Sequence, residues 1–136
     1  QGAWNGWSVA VGACLTAELP LRLVNLANES EHWATRARRA KVQREAGALM
    51  FAGRPRPVLP LLITITRIGP RRMDSDGLAI SGKHVRDGVA DWLRIDDGHP
   101  AIEWRYEQER GKPKQYAVRV EISEAMPKEA ACSATR

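Results

Sequence analysis

The stretch Leu61–Ile68, read Leu-Leu-Ile-Thr-Ile-Thr-Arg-Ile, most restricts what this chain can become. Extended, it points Leu61, Ile63 and Ile65 one way and Leu62, Thr64 and Thr66 the other. Both faces are apolar or β-branched, so the strand belongs inside a sheet rather than at its edge. Ile68-Gly69-Pro70 closes it with a turn signal.

The rest of the chain is read outward from this strand. Leu19, Leu21 and Leu23 alternate as a half-buried strand, with Pro20 marking an edge. Glu31 to about Phe51 contains no proline, is rich in Ala and Arg and stops at Gly53, which predicts a helix capped by Asn28 or Ser30. Val42, Ala46, Leu49 and Met50 are its expected buried stripe. A second helix is expected from about Leu78 to Leu93, burying Val85, Val89, Trp92 and Leu93. Ile102, Trp104 and Tyr106 share one face with charged residues opposite, and Tyr116, Val118, Val120 and Ile122 share a face in the same way. The Arg110-Gly111-Lys112-Pro113 turn between them predicts a hairpin. The order is strand, helix, strand, helix, strand, strand. The fold class is therefore α+β, a single domain whose mixed sheet is covered by two helices. Residues 1–14 read as an N-terminal extension, 15–123 as the domain and 124–136 as a C-terminal tail.

Composition limits the function classes. With 43% hydrophobic and 27% charged residues among 136, the chain is globular rather than disordered. Its apolar runs fall well short of the roughly 20 residues that span a bilayer, and no secretory leader is read at the start. No membrane partner is expected. Cys14 and Cys132 lack metal-ligand or disulfide spacing, so a reduced, cytoplasmic setting is expected.

Lys and Arg outnumber Asp and Glu by 21 to 16. From Trp33 to Arg56 there are seven basic residues and one acid, while six aspartates fall between Asp74 and Asp97. A basic arm beside clustered aspartates suits a metal-dependent enzyme acting on a polyanion, and it also suits a helix with a solvated face. Asp74 and Asp76, two apart in Asp74-Ser75-Asp76-Gly77, lie on one side of an extended segment. Such paired hard oxygens suit Mg²⁺. Asp96 or Asp97 supplies a further ligand if the second helix folds back along the sheet, and Lys83 can balance charge on a phosphoryl oxygen. Turn and cap roles compete for the same residues.

At this point the segment from Pro70 to Gly98 resembles the RusA-like Holliday junction resolvases, small dimeric phage and prophage endonucleases. Asp74 and Asp76 match the two aspartates of that family's D-x-D-N motif, Lys83 its helix lysine, and Asp96-Asp97 its later pair, with Asp97 best placed as third ligand. Gly77 stands where the family has asparagine, and the interval from Asp76 to Lys83 is longer than in the best-known resolvase of the type, though familiar among phage-borne relatives. The order of elements agrees from Leu19 to Ile122. The resemblance implies a crossover-junction endodeoxyribonuclease in DNA recombination and repair, hydrolysing phosphodiesters of branched DNA as a homodimer. It implies catalytic Asp74, Asp76, Asp97 and Lys83, with Mg²⁺ (or Mn²⁺) on the three aspartates and the host cytoplasm as setting. Arg36, Arg39, Arg44, Arg71 and Arg72 are the expected DNA contacts. The alternatives are a DNA-binding protein of the same fold that no longer cuts, and a phage accessory module that binds another protein.

The remaining residues have ordinary expectations. His32, His84 and His99 read as surface or capping residues, His84 alone being suited to shuttle a proton. Burial is expected for Trp33, Trp92 and Trp104, while Trp4 and Trp7 have no assigned place. No Ser-His-Asp or Cys-His set and no glycine-rich phosphate loop is present, which disfavours acyl transfer and nucleotide hydrolysis.

Overall fold

A computed structural model describes residues 7–24 and 33–127, with side chains described for 15–24 and 33–124. The elements are β1 (Trp7–Leu19), α1 (Trp33–Leu49), β2 (Leu61–Gly69), α2 (Ser75–Ser81), α3 (Lys83–Leu93), β3 (Ile102–Arg110) and β4 (Ala117–Pro127). The fold is α+β: one mixed sheet of four strands in the order β1-β4-β2-β3, with helices on one face. Residue 32, the expected caps at 28 and 30, Trp4 and Cys132 lie outside the described residues.

β2 is central, as its two apolar faces require. It runs parallel to β3, with Leu61 opposite Ile102, and antiparallel to β4, with Ile63 opposite Ile122. This overturns the expected β3–β4 hairpin. β2 is buried along nearly its whole length and takes a partner on each side. β3, with Glu103, Arg105, Glu107 and Glu109 on its outer face, tolerates the edge. The link after β3 therefore crosses the end of β2, where the Gly111 N–H donates to the Gly69 carbonyl at 2.8 Å. A Cβ at Gly111 would stand 3.1 Å from the Ile68 side chain, so the crossing is tight.

The first strand lies earlier than expected. β1 begins at Trp7 and pairs antiparallel with β4, Leu15 opposite Ile122 and Leu19 opposite Val118. Pro20 has no N–H to continue the ladder, and Leu21 turns back to bond the Leu19 carbonyl at 2.8 Å. Leu23 is still buried, so the alternation in 19–23 reports burial without a strand. β4 likewise runs to Pro127, past the expected start of the tail.

The core forms where α1 and α3 lie on the sheet. Leu61, Ile63 and Ile65 of β2 meet Val85, Val89, Trp92 and Leu93 of α3, the stripe expected from the sequence. Burying each such side chain contributes about 1.5–3 kcal/mol. Phe51 is fully buried just past α1, its ring centred 5.3 Å from that of Trp92. The stripe expected on α1 is corrected in part: Val42 and Leu49 are exposed, Ala46 and Met50 are partly buried with Met50 against the core, and the fully buried residues of the helix are Gln43 and Gly47. Two glycines explain the shift. A Cβ on Gly47 would come within 2.5 Å of the Val85 carbonyl oxygen, and one on Gly88 within 2.1 Å of the Arg44 carbonyl oxygen. The helices approach backbone to backbone there, turning the larger apolar side chains of α1 outward. Trp33 is exposed rather than buried, whereas Trp92 is buried and Trp104 partly so.

The helix expected over 78–93 is two helices. Asp74 caps α2, its Oδ1 accepting from the Gly77 N–H at 2.8 Å, which starts the helix at Ser75. Gly82 ends α2 and begins α3. A Cβ at Gly82 would lie 3.0 Å from the Tyr106 ring, so the break lets the chain bend closely over β3.

Candidate functional site

The carboxyl ends of the parallel pair β2 and β3 lie together, and the chain leaves β2 there through Pro70–Asp74 into α2. In α/β crossovers this end of the strands is where ligands gather. Gln108 is the organising side chain. It faces the helix side of β3, level with Arg67 on β2, and grips the exit segment with both ends of its amide. The Met73 N–H donates to Gln108 Oε1 at 2.9 Å, and Gln108 Nε2 donates to the Met73 carbonyl at 2.6 Å. Asp74 is the next residue. Asp74 and Asp76 are both exposed, and they straddle a helix start: Asp74 is the extended cap and Asp76 belongs to the first turn. The expected wholly extended arrangement is corrected by that cap.

Lys83 opens α3 and is exposed, its Nζ 3.3 Å from Asp87 Oδ2 one turn on. His84 is partly buried, and that burial, with Lys83 and Arg44 nearby, holds its pKa below the usual histidine value despite Asp87. Asp97 is pinned. Arg86 Nε lies 3.0 Å from Asp97 Oδ2, and Arg86 Nη2 donates to the Asp97 carbonyl at 3.2 Å. Trp104 Nε1 donates to the same carbonyl at 2.8 Å. Arg86 also donates to the Tyr106 hydroxyl at 3.0 Å, and its guanidinium carbon sits 4.9 Å from the Trp104 ring centroid. One arginine thus ties α3, the 94–101 loop and β3 together.

Asp74, Asp76 and Asp97 are hard oxygen donors of the right chemistry for Mg²⁺. Among the described residues, however, no three His, Cys, Asp or Glu side chains form a group that could hold a metal ion. Asp97 is engaged by Arg86, and one oxygen of Asp74 is engaged as a cap. That leaves Asp74 and Asp76 as the exposed carboxylates of the expected set, and Mg²⁺ is commonly held by one or two carboxylates together with substrate phosphate.

The basic residues divide into two places. Arg71 and Arg72 are exposed and line a cleft of about 450 Å³ with Arg67, Gly69, Pro70, Gln108, Glu109 and Arg110. Arg36, Arg39 and Arg44 belong to α1. Arg44 forms a two-pronged pair with Asp91 of α3, Nε to Oδ2 at 2.7 Å and Nη2 to Oδ1 at 3.0 Å. The paired Arg44 hydrogen bonds hold Asp91 below the usual carboxylate range. Arg44 therefore joins the two helices, a role the sequence reading did not give it.

Four contributors were missed in the sequence: Arg67, Arg86, Tyr106 and Gln108. Tyr106 and Gln108 continue the period-2 face of Ile102 and Trp104, so their direction was legible, but their partners come from across the crossover. No helix among the described residues is long and apolar enough to cross a membrane. Compared with protein-family models and with curated proteins, the sequence gives no match to either.

Proposed function

We propose that this chain is a divalent-metal-dependent endodeoxyribonuclease of the RusA-like kind, cleaving branched DNA as a homodimer. The observation that carries the reading is the Gln108 clamp. It fixes the Asp74–Asp76 segment beside a cleft walled by four arginines. Carboxylates for a cation next to guanidinium groups for phosphate are the two things a phosphodiester hydrolase needs. Mg²⁺ bound at Asp74 and Asp76 would supply charge neutralisation and water activation. In the reaction a water oxygen bonds to phosphorus, the bond to the leaving sugar oxygen breaks, and the proton passes to that oxygen. Lys83, at the exposed start of α3, is suited to balance charge on the phosphoryl oxygens. Two equivalent sites in a two-fold dimer would allow symmetric cuts across a junction. The reading carries with it a bacterial cytoplasm and a phage or prophage origin.

A second reading is favoured by Asp97. Its pairing with Arg86 withholds the third carboxylate, and Gly77 lacks the side chain that asparagine would offer. That suits a protein that binds junctions without cutting them. The test is incubation of an end-labelled four-way junction with protein in Mg²⁺, in Mn²⁺ and in EDTA. Paired symmetric products in either metal and none in EDTA support the nuclease. Retarded but intact junctions in all three support the binder.

A further inference from the structure

Arg67 sits in β2 with only 7% of its surface exposed. Its Nη1 donates to the Arg71 carbonyl at 2.7 Å, while its Nε meets no acceptor among the described residues. No carboxylate pairs with it there, and burial, with Arg22 nearby, holds its pKa below the usual arginine value although Tyr116 opposes this. A buried guanidinium without a counter-ion is costly, and a bound anion would offset that cost. The backbone makes room for it: a Cβ on Gly69 would stand 2.9–3.1 Å from the guanidinium atoms, so glycine lets the group lie over the strand end. That group lines the cleft shared with Arg71, Arg72 and Arg110. The one carboxylate in the wall, Glu109, is already held by Arg119 at 3.0 and 3.3 Å. The cleft thus carries an excess of positive charge beside a buried guanidinium whose Nε has no acceptor among the described residues.

We propose that this cleft is an oxyanion subsite in which Arg67, with Arg71, Arg72 and Arg110, holds one phosphodiester of a nucleic-acid strand. The proposal rests on the nuclease reading for the identity of the strand, and it adds a seat distinct from Asp74 and Asp76. Gln108 joins the two places, since it lines the cleft and also grips Met73. A phosphate seated on Arg67 therefore fixes the strand relative to the aspartate segment, so the subsite positions DNA rather than reacting with it. Planar guanidinium forks match phosphate oxygens in pairs, which lysines do not.

The test follows the Nε–H resonances of the arginines by NMR in EDTA, where nothing is cut. The probes are a ten-residue oligothymidylate and, separately, inorganic phosphate. The proposal expects the Arg67 Nε–H to shift saturably with the oligonucleotide. Arg110→Ala, which leaves the buried residue in place, should weaken that binding about tenfold, as loss of a charge-assisted contact of about 1.4 kcal/mol does. Arg67→Lys should weaken it similarly if the protein remains folded. A shift with phosphate but none with oligonucleotide overturns the strand assignment, and no shift with either overturns the site. Junctions cut in Mg²⁺ while Arg67 stays unmoved would refute this proposal alone. Oligonucleotide bound at Arg67 with no cutting in Mg²⁺ would refute the nuclease reading alone.

Discussion

Gln108→Glu is the sharpest perturbation of the clamp, because it changes the chemistry of one atom and almost nothing of the volume. The new carboxylate still accepts from the Met73 N–H, replacing the 2.9 Å bond. Its other oxygen, however, faces the Met73 carbonyl, where Gln108 Nε2 donated over 2.6 Å. One hydrogen bond is lost and two acceptors are opposed, a cost of about 1.5–3 kcal/mol. Protonation restores a donor, so the introduced carboxyl is held above the ordinary glutamate value. The sign follows from the unfolded chain, which ionises first as pH rises. The deficit is absent below about pH 4.3, grows from there, and is complete above the folded value. Urea denaturation of variant and wild type at matched pH measures it. The variant should be less stable at pH 8 and equal to wild type near pH 4. Amide exchange at Met73 should be faster in the variant at pH 8. Equal stability at pH 8, or a deficit that ignores pH, would refute the clamp.

Gly88→Ala should destabilise the fold by about 1–3 kcal/mol despite the better helix propensity of alanine, because the added Cβ would lie 2.1 Å from the Arg44 carbonyl oxygen. An unchanged melting temperature would contradict the close approach of α1 and α3. His84 has a depressed pKa in the folded state, so stability should fall as pH drops below about 6.5, the unfolded value, and level off below the folded one. His84→Gln should remove that dependence, as followed by thermal melts across the range. If α1 contacts DNA, Arg36→Ala with Arg39→Ala should flatten the slope of log affinity against log salt by about 1.8, at roughly 0.9 per contact. Fluorescence anisotropy in graded salt reads this, and an unchanged slope returns the two residues to the solvated face.

Much of the fold could be read along the chain, and its failures share a cause. The two-sided apolar run of β2 and the α3 stripe are local patterns, and both hold. The hairpin failed because the Gly111–Pro113 turn looks the same whether β4 folds against β3 or passes over β2. Only the burial demanded by β2 decides between them. The α1 stripe failed because Gly47 and Gly88 carry no hydrophobic signal, yet their lack of a Cβ sets how the helices meet. For the site, the sequence singled out the exposed aspartates and Arg71 and Arg72, which lie near one another along the chain. It missed Gln108 and Arg86, whose meaning is the distant backbone or carboxylate they hold. Asp97 shows the same limit, since its place in the chain gives no sign of Arg86, whose Nε lies 3.0 Å from its Oδ2.

Whether Asp74 and Asp76 serve phosphodiester cleavage is decided by Asp76→Asn assayed on a four-way junction in Mg²⁺. The substitution keeps the volume of an exposed side chain and removes one anionic ligand, so the fold should be unaffected. Cleavage by wild type, with a loss of about a hundredfold or more in the variant, is the predicted result, since removal of a charged group that acts in the transition state costs several kcal/mol. Junction binding in EDTA should hold or strengthen, because a negative charge facing phosphate has gone. Cleavage by Asp76→Asn at the wild-type rate would show that Asp76 has no part in the cutting.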